Sequence, residues 1–226
     1  MTPVEVLVFD IDDTLYLERD YVRSGFNAVG EWAASTLGVE GFAARCWKAF
    51  LDGARGDIFD YALKEFGLQL GRDSVLEMRD VYRKHGPSIR LAPDALAFLE
   101  VMFGVVGMAA ITDGPVDSQR AKIRALDIDR WLDPIVLTEE LGERYRKPSS
   151  LAFQSVQEAF GSEGNGCLYV ADNPAKDFAG PAALGWRTCR IKRAGGLHER
   201  VPSDATIQEE ISRLTDLQPA YWRDCD

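Results

Sequence analysis

The feature that most constrains the fold is an apolar run near the N-terminus that ends in a cluster of acidic residues. Residues 4 to 9 are almost all apolar, and Asp10, Asp12 and Asp13 follow at once. A near-continuous apolar run of this length predicts a buried strand of a parallel sheet. Side chains two apart on a strand share a face, so Asp10 and Asp12 can address one point while Asp13 points elsewhere. Because clustered carboxylates resist burial, a cation is expected beside them, with a divalent metal as the obvious candidate.

The composition is that of an ordinary globular protein with an acidic surface. The chain has 226 residues, of which 46% are hydrophobic and 27% charged, enough for one large domain or a core with a subdomain. The formal net charge of −10 argues against a nucleic-acid partner, because such a protein needs a basic face to neutralise phosphates. A small phosphorylated ligand stays possible, because a metal and a few local cations can reverse the field in a pocket.

Neither a membrane partner nor a disulfide framework is expected. No apolar run approaches the ~20 residues of a membrane span, and the sequence enters a strand without a visible signal peptide. Four cysteines are widely spaced, at Cys46, Cys167, Cys189 and Cys225, which fits buried thiols in a reducing cytoplasm. The expected location is therefore cytoplasmic.

The order of predicted elements indicates an α/β fold, a doubly wound parallel sheet of the Rossmann type with an inserted helical subdomain. After the first strand, helical periodicity predicts four helices, at about 21–37, 43–54, 58–66 and 74–84. Strands are then predicted at 105–111, 135–137, 167–171 and 188–191, alternating with helices at 93–102, 115–126, 151–160 and 174–184. A parallel crossover needs only about a dozen residues. The stretch between the first and second predicted strands is much longer than this. It therefore predicts a core of residues 1–15 and 91–226 and an inserted helical subdomain of residues 16–90.

Polar residues follow the predicted core strands, where ligands bind in open α/β sheets. Besides the acidic cluster after the first strand, they are Thr112, Asp113, Arg146, Lys147, Asp172, Asn173 and Asp177. Each one alone is equally consistent with a helix cap or a solvated side chain. Six of these residues form a set that suits Mg²⁺ and a phosphate group at one edge of the sheet: four carboxylates, a hydroxyl and a lysine, from Asp10, Asp12, Asp172, Asp177, Thr112 and Lys147.

Four stretches of the sequence resemble, in order, the four motifs of the haloacid dehalogenase superfamily: F-D-I-D-D-T-L, I-T-D-G, Y-R-K-P and Y-V-A-D-N-P-A-K-D-F. The resemblance covers nearly the whole chain. The helical insertion after the first motif is similar to the cap of the subgroup with an α-helical (C1-type) cap. One departure is Ala171, which stands where glycine often precedes the aspartate of the fourth motif.

The resemblance implies a role for each motif residue. Asp10 would be the nucleophile that attacks phosphorus and forms an aspartyl-phosphate. Asp12 would be the general acid–base, protonating the leaving oxygen and then activating water. Thr112 would hydrogen-bond the transferred phosphoryl group, and Lys147 would neutralise its charge and restrain Asp10.

The resemblance also implies Mg²⁺ as cofactor. Its ligands would be Asp10, the backbone carbonyl of Asp12 and Asp172, with Asp177 binding the metal directly or orienting one of its waters. Asp113 and Asn173 would contact the substrate or the metal shell, or equally would act as caps. Asp13 is expected to be structural.

Asp12 also bears on which reaction of the superfamily the chain performs. By the same resemblance, a carbon–halogen dehalogenase needs no Mg²⁺ and lacks an acid two residues after the nucleophile. The expected function is therefore a Mg²⁺-dependent phosphatase acting on a small phosphomonoester, as a monomer or homodimer. A phosphomutase, a dehalogenase and a non-catalytic binding protein remain the alternatives.

Specificity is expected from the insertion, and its first residues are the candidates. Glu18, Arg19, Tyr21 and Arg23 lie just past the nucleophile loop and could reach the leaving group. The plainer interpretation, which is favoured, makes them surface residues at a helix start.

Overall fold

A computed structural model describes residues 3–217, and the chain divides into two compact units. The first takes in the chain up to Glu18 and from Arg90 onward, and the second is Arg19–Ile89. The division predicted from the sequence falls after residues 15 and 90. Cys225 lies outside the described residues, and the other three cysteines are buried and free of disulfides. Within residues 3–217, no helix is both long enough and apolar enough to cross a membrane.

The second unit is a bundle of helices around an aromatic core. Its helices are α1 (Glu18–Leu37), α2 (Phe42–Leu51), α3 (Ile58–Glu65) and α4 (Arg72–Lys84). Helix α1 ends where Gly38 takes a φ of 68°, a left-handed conformation that glycine adopts without strain. The ring of Phe26 packs edge-on against Phe50 and Phe59, and Tyr82 lies against both Phe26 and Phe59. These contacts give the unit a hydrophobic core of its own.

The first unit is built on a six-stranded parallel sheet, as the alternation of strands and helices predicted. Its strands are β1 (Val6–Phe9), β2 (Gly107–Thr112), β3 (Ile135–Leu137), β4 (Cys167–Ala171), β5 (Arg187–Ile191) and β6 (Glu209–Ile211). The order across the sheet is β3-β2-β1-β4-β5-β6. The sequence interpretation missed β6, because its first two residues are glutamates and the strand spans only three residues at the sheet edge.

The topology places the end of β1 between the ends of β2 and β4. Phe9 is in register with Ala110 on one side and with Val170 on the other. The chain order reverses at β1, and such a switch point is where open α/β sheets bind ligands. Asp10 directly follows Phe9, so the acidic cluster begins at this switch point of the sheet.

Helices α5 to α9 flank the sheet, at Pro93–Met102, Val116–Leu126, Thr138–Leu141, Leu151–Phe160 and Ala179–Ala183. The helix predicted at 174–184 was wrong in its first turn, because helix α9 begins only at Ala179. Asn173 and Asp177 explain the difference. The Asn173 side chain accepts a hydrogen bond from the Ala175 amide at 3.0 Å, and the Asp177 carboxylate accepts one from the Asn173 amide at 3.0 Å. Such local side-chain bonds compete with helix formation.

The short helix α9 packs closely on the loop that carries Lys147. A Cβ atom built on Gly180 would lie 2.8 Å from the Pro148 carbonyl oxygen and 3.0 Å from that of Ser149. Any larger residue would push this loop away from the sheet. Beneath the loop, the ring of Phe153 packs edge-on against Tyr169, with centroids 4.9 Å apart. The loop that carries Lys147 is therefore packed tightly against helix α9.

A polar network ties the nucleophile loop to the C-terminal part of the sheet. Arg193 donates from Nε to the Thr14 carbonyl at 2.7 Å and from Nη1 to Asp94 Oδ1 at 2.8 Å. Asp94 Oδ2 accepts the Leu214 amide at 2.7 Å. Burial raises the pKa of Asp94, but the hydrogen bonds from Arg193 and Leu214 and the charge of Arg193 outweigh it and lower the pKa overall.

We expect Asp94→Asn to lower the free energy of unfolding by about 2 kcal/mol, the usual range for a hydrogen-bonded charge that loses its partner. A lowered pKa stabilises the folded state above the unfolded pKa, about 3.9, and this gain is lost as pH falls through the folded value. Urea denaturation between pH 7 and pH 3 should show a difference that is constant down to about pH 4 and shrinks below. Glu100→Gln, an exposed change on the same helix, is the control. A difference that is as large at pH 3 as at pH 7 would contradict the assignment.

Candidate active site

The loop after β1 is held rigidly by its own backbone and by Asp13. The Asp10 amide donates to the Val170 carbonyl at 3.0 Å, which continues the pairing of β1 with β4. Asp13 has a φ of 51°, and its carboxylate accepts the amides of Glu18 at 2.8 Å and Leu197 at 2.7 Å. These contacts are those of a residue that shapes the loop, the role expected for Asp13.

Lys147 lies at the centre of the site, and its side chain is completely buried. Its Nζ is 2.6 Å from Asp10 Oδ1 and 2.6 Å from Asp177 Oδ1, and it donates to the Tyr169 hydroxyl at 3.1 Å. Burial lowers the pKa of Lys147, but the charges of Asp10 and Asp177 outweigh it and hold the pKa well above its usual value. The lysine is therefore a permanent cation between two carboxylates. Tyr169 was not predicted as a site residue, because a tyrosine within an apolar strand gives no sequence signal of this contact.

Asp10, Asp172 and Asp177 form a compact cluster of buried oxygens. One carboxylate oxygen from each lies within 4.8 Å of the others. Burial, together with the charges of Asp10 and Asp177, raises the pKa of Asp172 to about 9. One lysine thus does not balance three carboxylates, and a further cation would relieve the excess negative charge. An all-oxygen donor set of this kind fits Mg²⁺.

Thr112 ends β2 beside this cluster, and its hydroxyl has no hydrogen-bond partner within residues 3–217. Thr112 as a whole is only 1% exposed. An unsatisfied buried hydroxyl costs free energy, so its retention calls for an explanation. A role for the Thr112 hydroxyl as donor to a bound oxyanion would explain it.

Asp113 is engaged by the loop that carries Lys147. Its Oδ1 accepts the Thr138 hydroxyl at 2.6 Å and the Lys147 amide at 3.3 Å. Lys176 Nζ lies 3.7 Å from its Oδ2. These contacts join the second and third motifs through the Asp113 carboxylate.

Asp12 has partners that sequence reasoning missed. Lys122 Nζ lies 2.7 Å from both of its carboxylate oxygens, and Gln119 donates to Oδ2 at 3.2 Å. The Tyr16 hydroxyl donates to Oδ1. Burial raises the pKa of Asp12, but the charge of Lys122 and these hydrogen bonds outweigh it and lower the pKa overall. Gln119 and Lys122 carried no signal except their three-residue spacing on α6, which places them on one helix face.

The four candidate specificity residues at the start of the insertion differ in burial and in their contacts. Burial and the charge of Asp12 raise the pKa of the Glu18 carboxyl to about 8. Within the helical unit, Tyr21 is buried against Tyr82. The guanidinium carbons of Arg19 and Arg23 lie 5.6 and 5.4 Å from the centre of the Trp47 ring. Tyr21 is therefore a core residue of this unit.

Two further polar residues near the site form hydrogen bonds with neighbouring groups. Arg146 donates from Nε and Nη2 to the two carboxylate oxygens of Glu139, at 2.6 Å each. Asn173 caps the turn that leads to Asp177, as described above. Both act within the loops that carry the site.

Comparison with known proteins identifies this arrangement. A family model of haloacid dehalogenase-like hydrolases matches residues 4–185, which include all four motifs. The chain belongs to the haloacid dehalogenase-like hydrolases. It is thus an enzyme of this family, as its motifs predicted.

Curated relatives of this hydrolase carry two kinds of name. A glyceraldehyde 3-phosphate phosphatase of Methanopyrus kandleri is 26% identical, with 95% of each chain covered. Haloacetate dehalogenase H-2 of a Moraxella species is 24% identical, with 86% of this chain and 88% of the relative covered.

Solved structures share the fold at lower identity. The HAD-hydrolase YfnB from Bacillus subtilis, bound to magnesium, superimposes with a TM-score of 0.69 at 18% identity, covering 97% of this chain and 99% of the other. A predicted phosphoglycolate phosphatase from Haemophilus somnus gives a TM-score of 0.67 at 18% identity, covering 96% and 97%.

Proposed function

We propose that this hydrolase is a Mg²⁺-dependent phosphatase that hydrolyses a small phosphomonoester through an aspartyl-phosphate on Asp10. The observation that carries the proposal is Asp12, a second carboxylate two residues after Asp10 in the loop that follows β1. Halide leaves carbon without a proton, whereas an alkoxide leaving phosphorus needs one. A residue placed to supply and remove a proton therefore favours ester hydrolysis.

In the first half of the reaction, Asp10 attacks phosphorus and the ester oxygen leaves. The Asp10 oxygen forms the new bond to phosphorus while the bond to the ester oxygen breaks, and Asp12 in its protonated form gives that oxygen its proton and becomes the carboxylate that later takes a proton from water. Thr112 would donate its free hydroxyl to a phosphoryl oxygen, and Lys147 would offset the charge that gathers there. Lys147 also keeps Asp10 in place through its 2.6 Å contact.

Asp10, Asp172 and Asp177 would hold the Mg²⁺ ion, with Asp177 also anchored by Lys147. When bound, the ion would reduce the repulsion between an ionised Asp10 and a phosphate dianion. The helical unit, inserted directly after the nucleophile loop, would act as a cap that selects the leaving group.

The Moraxella relative makes dehalogenation the second candidate. Both reactions begin with attack by an aspartate, so Asp10 alone does not distinguish them. The clamp on Asp12 favours the phosphatase, because a buried lysine, a glutamine and a tyrosine converge on a group that a halide leaving group would not need.

A panel of phosphomonoesters and 2-haloacids tests the proposal. We expect phosphate release with Mg²⁺, its loss in excess EDTA and its return when Mg²⁺ is restored, with no halide release from chloroacetate. Three-carbon sugar phosphates belong in the panel because three relatives are named glyceraldehyde 3-phosphate phosphatase. Measuring isomerised sugar phosphate separates a phosphomutase. Halide release that survives EDTA, without phosphate release from any ester, would contradict the proposal.

A further inference from the structure

Two of the three carboxylates of the nucleophile loop, Asp10 and Asp12, are each paired with a different buried lysine. Lys147 contacts Asp10, whereas Lys122 contacts Asp12 with its Nζ 2.7 Å from both oxygens. The Lys122 side chain is only 5% exposed. Burying a lysine is costly unless a specific partner compensates it. Lys122 is therefore directed at the acid–base residue by the fold.

Helix α6 brings Lys122 and Gln119 to Asp12 from the side of the second motif. The two residues are one helical turn apart and both are buried. The Gln119 side chain donates to the Asp113 carbonyl at 2.8 Å and to Asp12 Oδ2 at 3.2 Å, so it links the two loops. A Cβ on Gly114 would lie 2.8 Å from Gln119 Nε2, so the glycine makes room for this amide.

The contact geometry fixes the direction of the Asp12 side chain. The ammonium group of Lys122 lies within hydrogen-bond distance of both carboxylate oxygens, and the Gln119 amide donates to one of them. Charge-assisted bonds of this kind also fix the direction of the carboxylate. A proton-transfer group must be held in a fixed direction, and these contacts hold Asp12 in one.

We propose that Lys122 is a positioning residue that holds the Asp12 carboxylate, with help from Gln119, as the base for hydrolysis of the covalent intermediate. This inference rests on the proposed function. In that step Asp12 takes a proton from water, the water oxygen bonds to phosphorus, and the bond from phosphorus to the Asp10 oxygen breaks. The electron pair returns to Asp10, and phosphate leaves.

We expect Lys122→Met to slow hydrolysis of the covalent intermediate much more than its formation. With p-nitrophenyl phosphate, whose leaving group needs no proton, kcat/KM reports attack by Asp10 and should change little. We expect kcat to fall about 10- to 100-fold, the scale of a misplaced catalytic group, and KM to fall with it. Nitrophenolate should then appear in a burst of one equivalent per active site. Lys122→Arg, which keeps the charge, should restore part of kcat.

Controls separate this role from folding and from the proposed function. Arg120→Met removes an exposed cation from the same helix, where it pairs with Glu140, and should leave kcat and KM unchanged. If Lys122→Met does not fold, Gln119→Leu should slow hydrolysis of the intermediate in the same way, to a smaller degree. A parallel fall of kcat and kcat/KM with KM constant would overturn this inference alone. A wild-type enzyme that hydrolyses no phosphate ester would overturn the proposed function and the inference with it.

Discussion

Asp10→Asn is expected to abolish phosphate release, with kcat/KM falling by at least about 10³-fold on every ester, because a carboxamide is a poor nucleophile toward phosphorus. We expect the same change to affect the melting temperature. Asp10 is one of three buried carboxylates within 4.8 Å, so neutralising it relieves repulsion, while Lys147 keeps its contact with Asp177. We therefore expect an inactive protein whose melting temperature is unchanged or higher.

Steady-state assays and thermal melts of the Asp10→Asn protein, purified beside wild type, check both expectations. Asp117→Asn makes the same chemical change at an exposed position on α6 and should leave both quantities unchanged. An Asp10→Asn enzyme that retains wild-type turnover would remove Asp10 as the nucleophile. An inactive variant that has lost its fold would instead point to a structural role.

Asp12→Asn is expected to slow the enzyme according to the leaving group. Loss of a positioned acid–base typically costs about 10² to 10⁴ in rate. We expect kcat/KM to fall in this range for an alkyl phosphate, whose leaving oxygen needs a proton. For p-nitrophenyl phosphate kcat/KM should fall far less, whereas kcat should still fall because a carboxamide at this position would not activate water. Comparing the two esters on one preparation makes the measurement independent of the active fraction.

Equal losses of kcat/KM on both esters would show that Asp12 supports the fold of the loop and does not transfer protons. Undiminished turnover would contradict its assignment outright. The exposed Asp117→Asn variant again serves as the matched control for the chemical change.

The sheet and the positions of the main motif residues were predictable because they follow from local patterns. Apolar runs mark β1 and β4, and the polar residue after each parallel strand must come to the same edge. This reasoning is enough to bring Asp10, Thr112 and Asp172 together. It fails where local bonds compete, as at residues 174–178, where Asn173 and Asp177 hold a turn in place of the predicted first helical turn.

The residues that support the acid–base were not predictable, because their role depends on three-dimensional packing. Lys122 lies 110 positions from Asp12 in sequence, on a helix where an exposed lysine is the usual interpretation. Tyr169 is similarly hidden within an apolar strand, although its hydroxyl meets Lys147. In both cases the sequence gives the residue type but not the direction of the side chain.

The most direct test of the account is to find the phosphoryl group on the protein. Asp12→Asn enzyme mixed with p-nitrophenyl phosphate and Mg²⁺, quenched in acid and digested, should yield a peptide containing Asp10 that is heavier by one phosphoryl group. The same peptide from Asp10→Asn enzyme should be unmodified. Phosphate release by the wild type without any such adduct, or an adduct on another residue, would contradict the central claim that Asp10 attacks phosphorus.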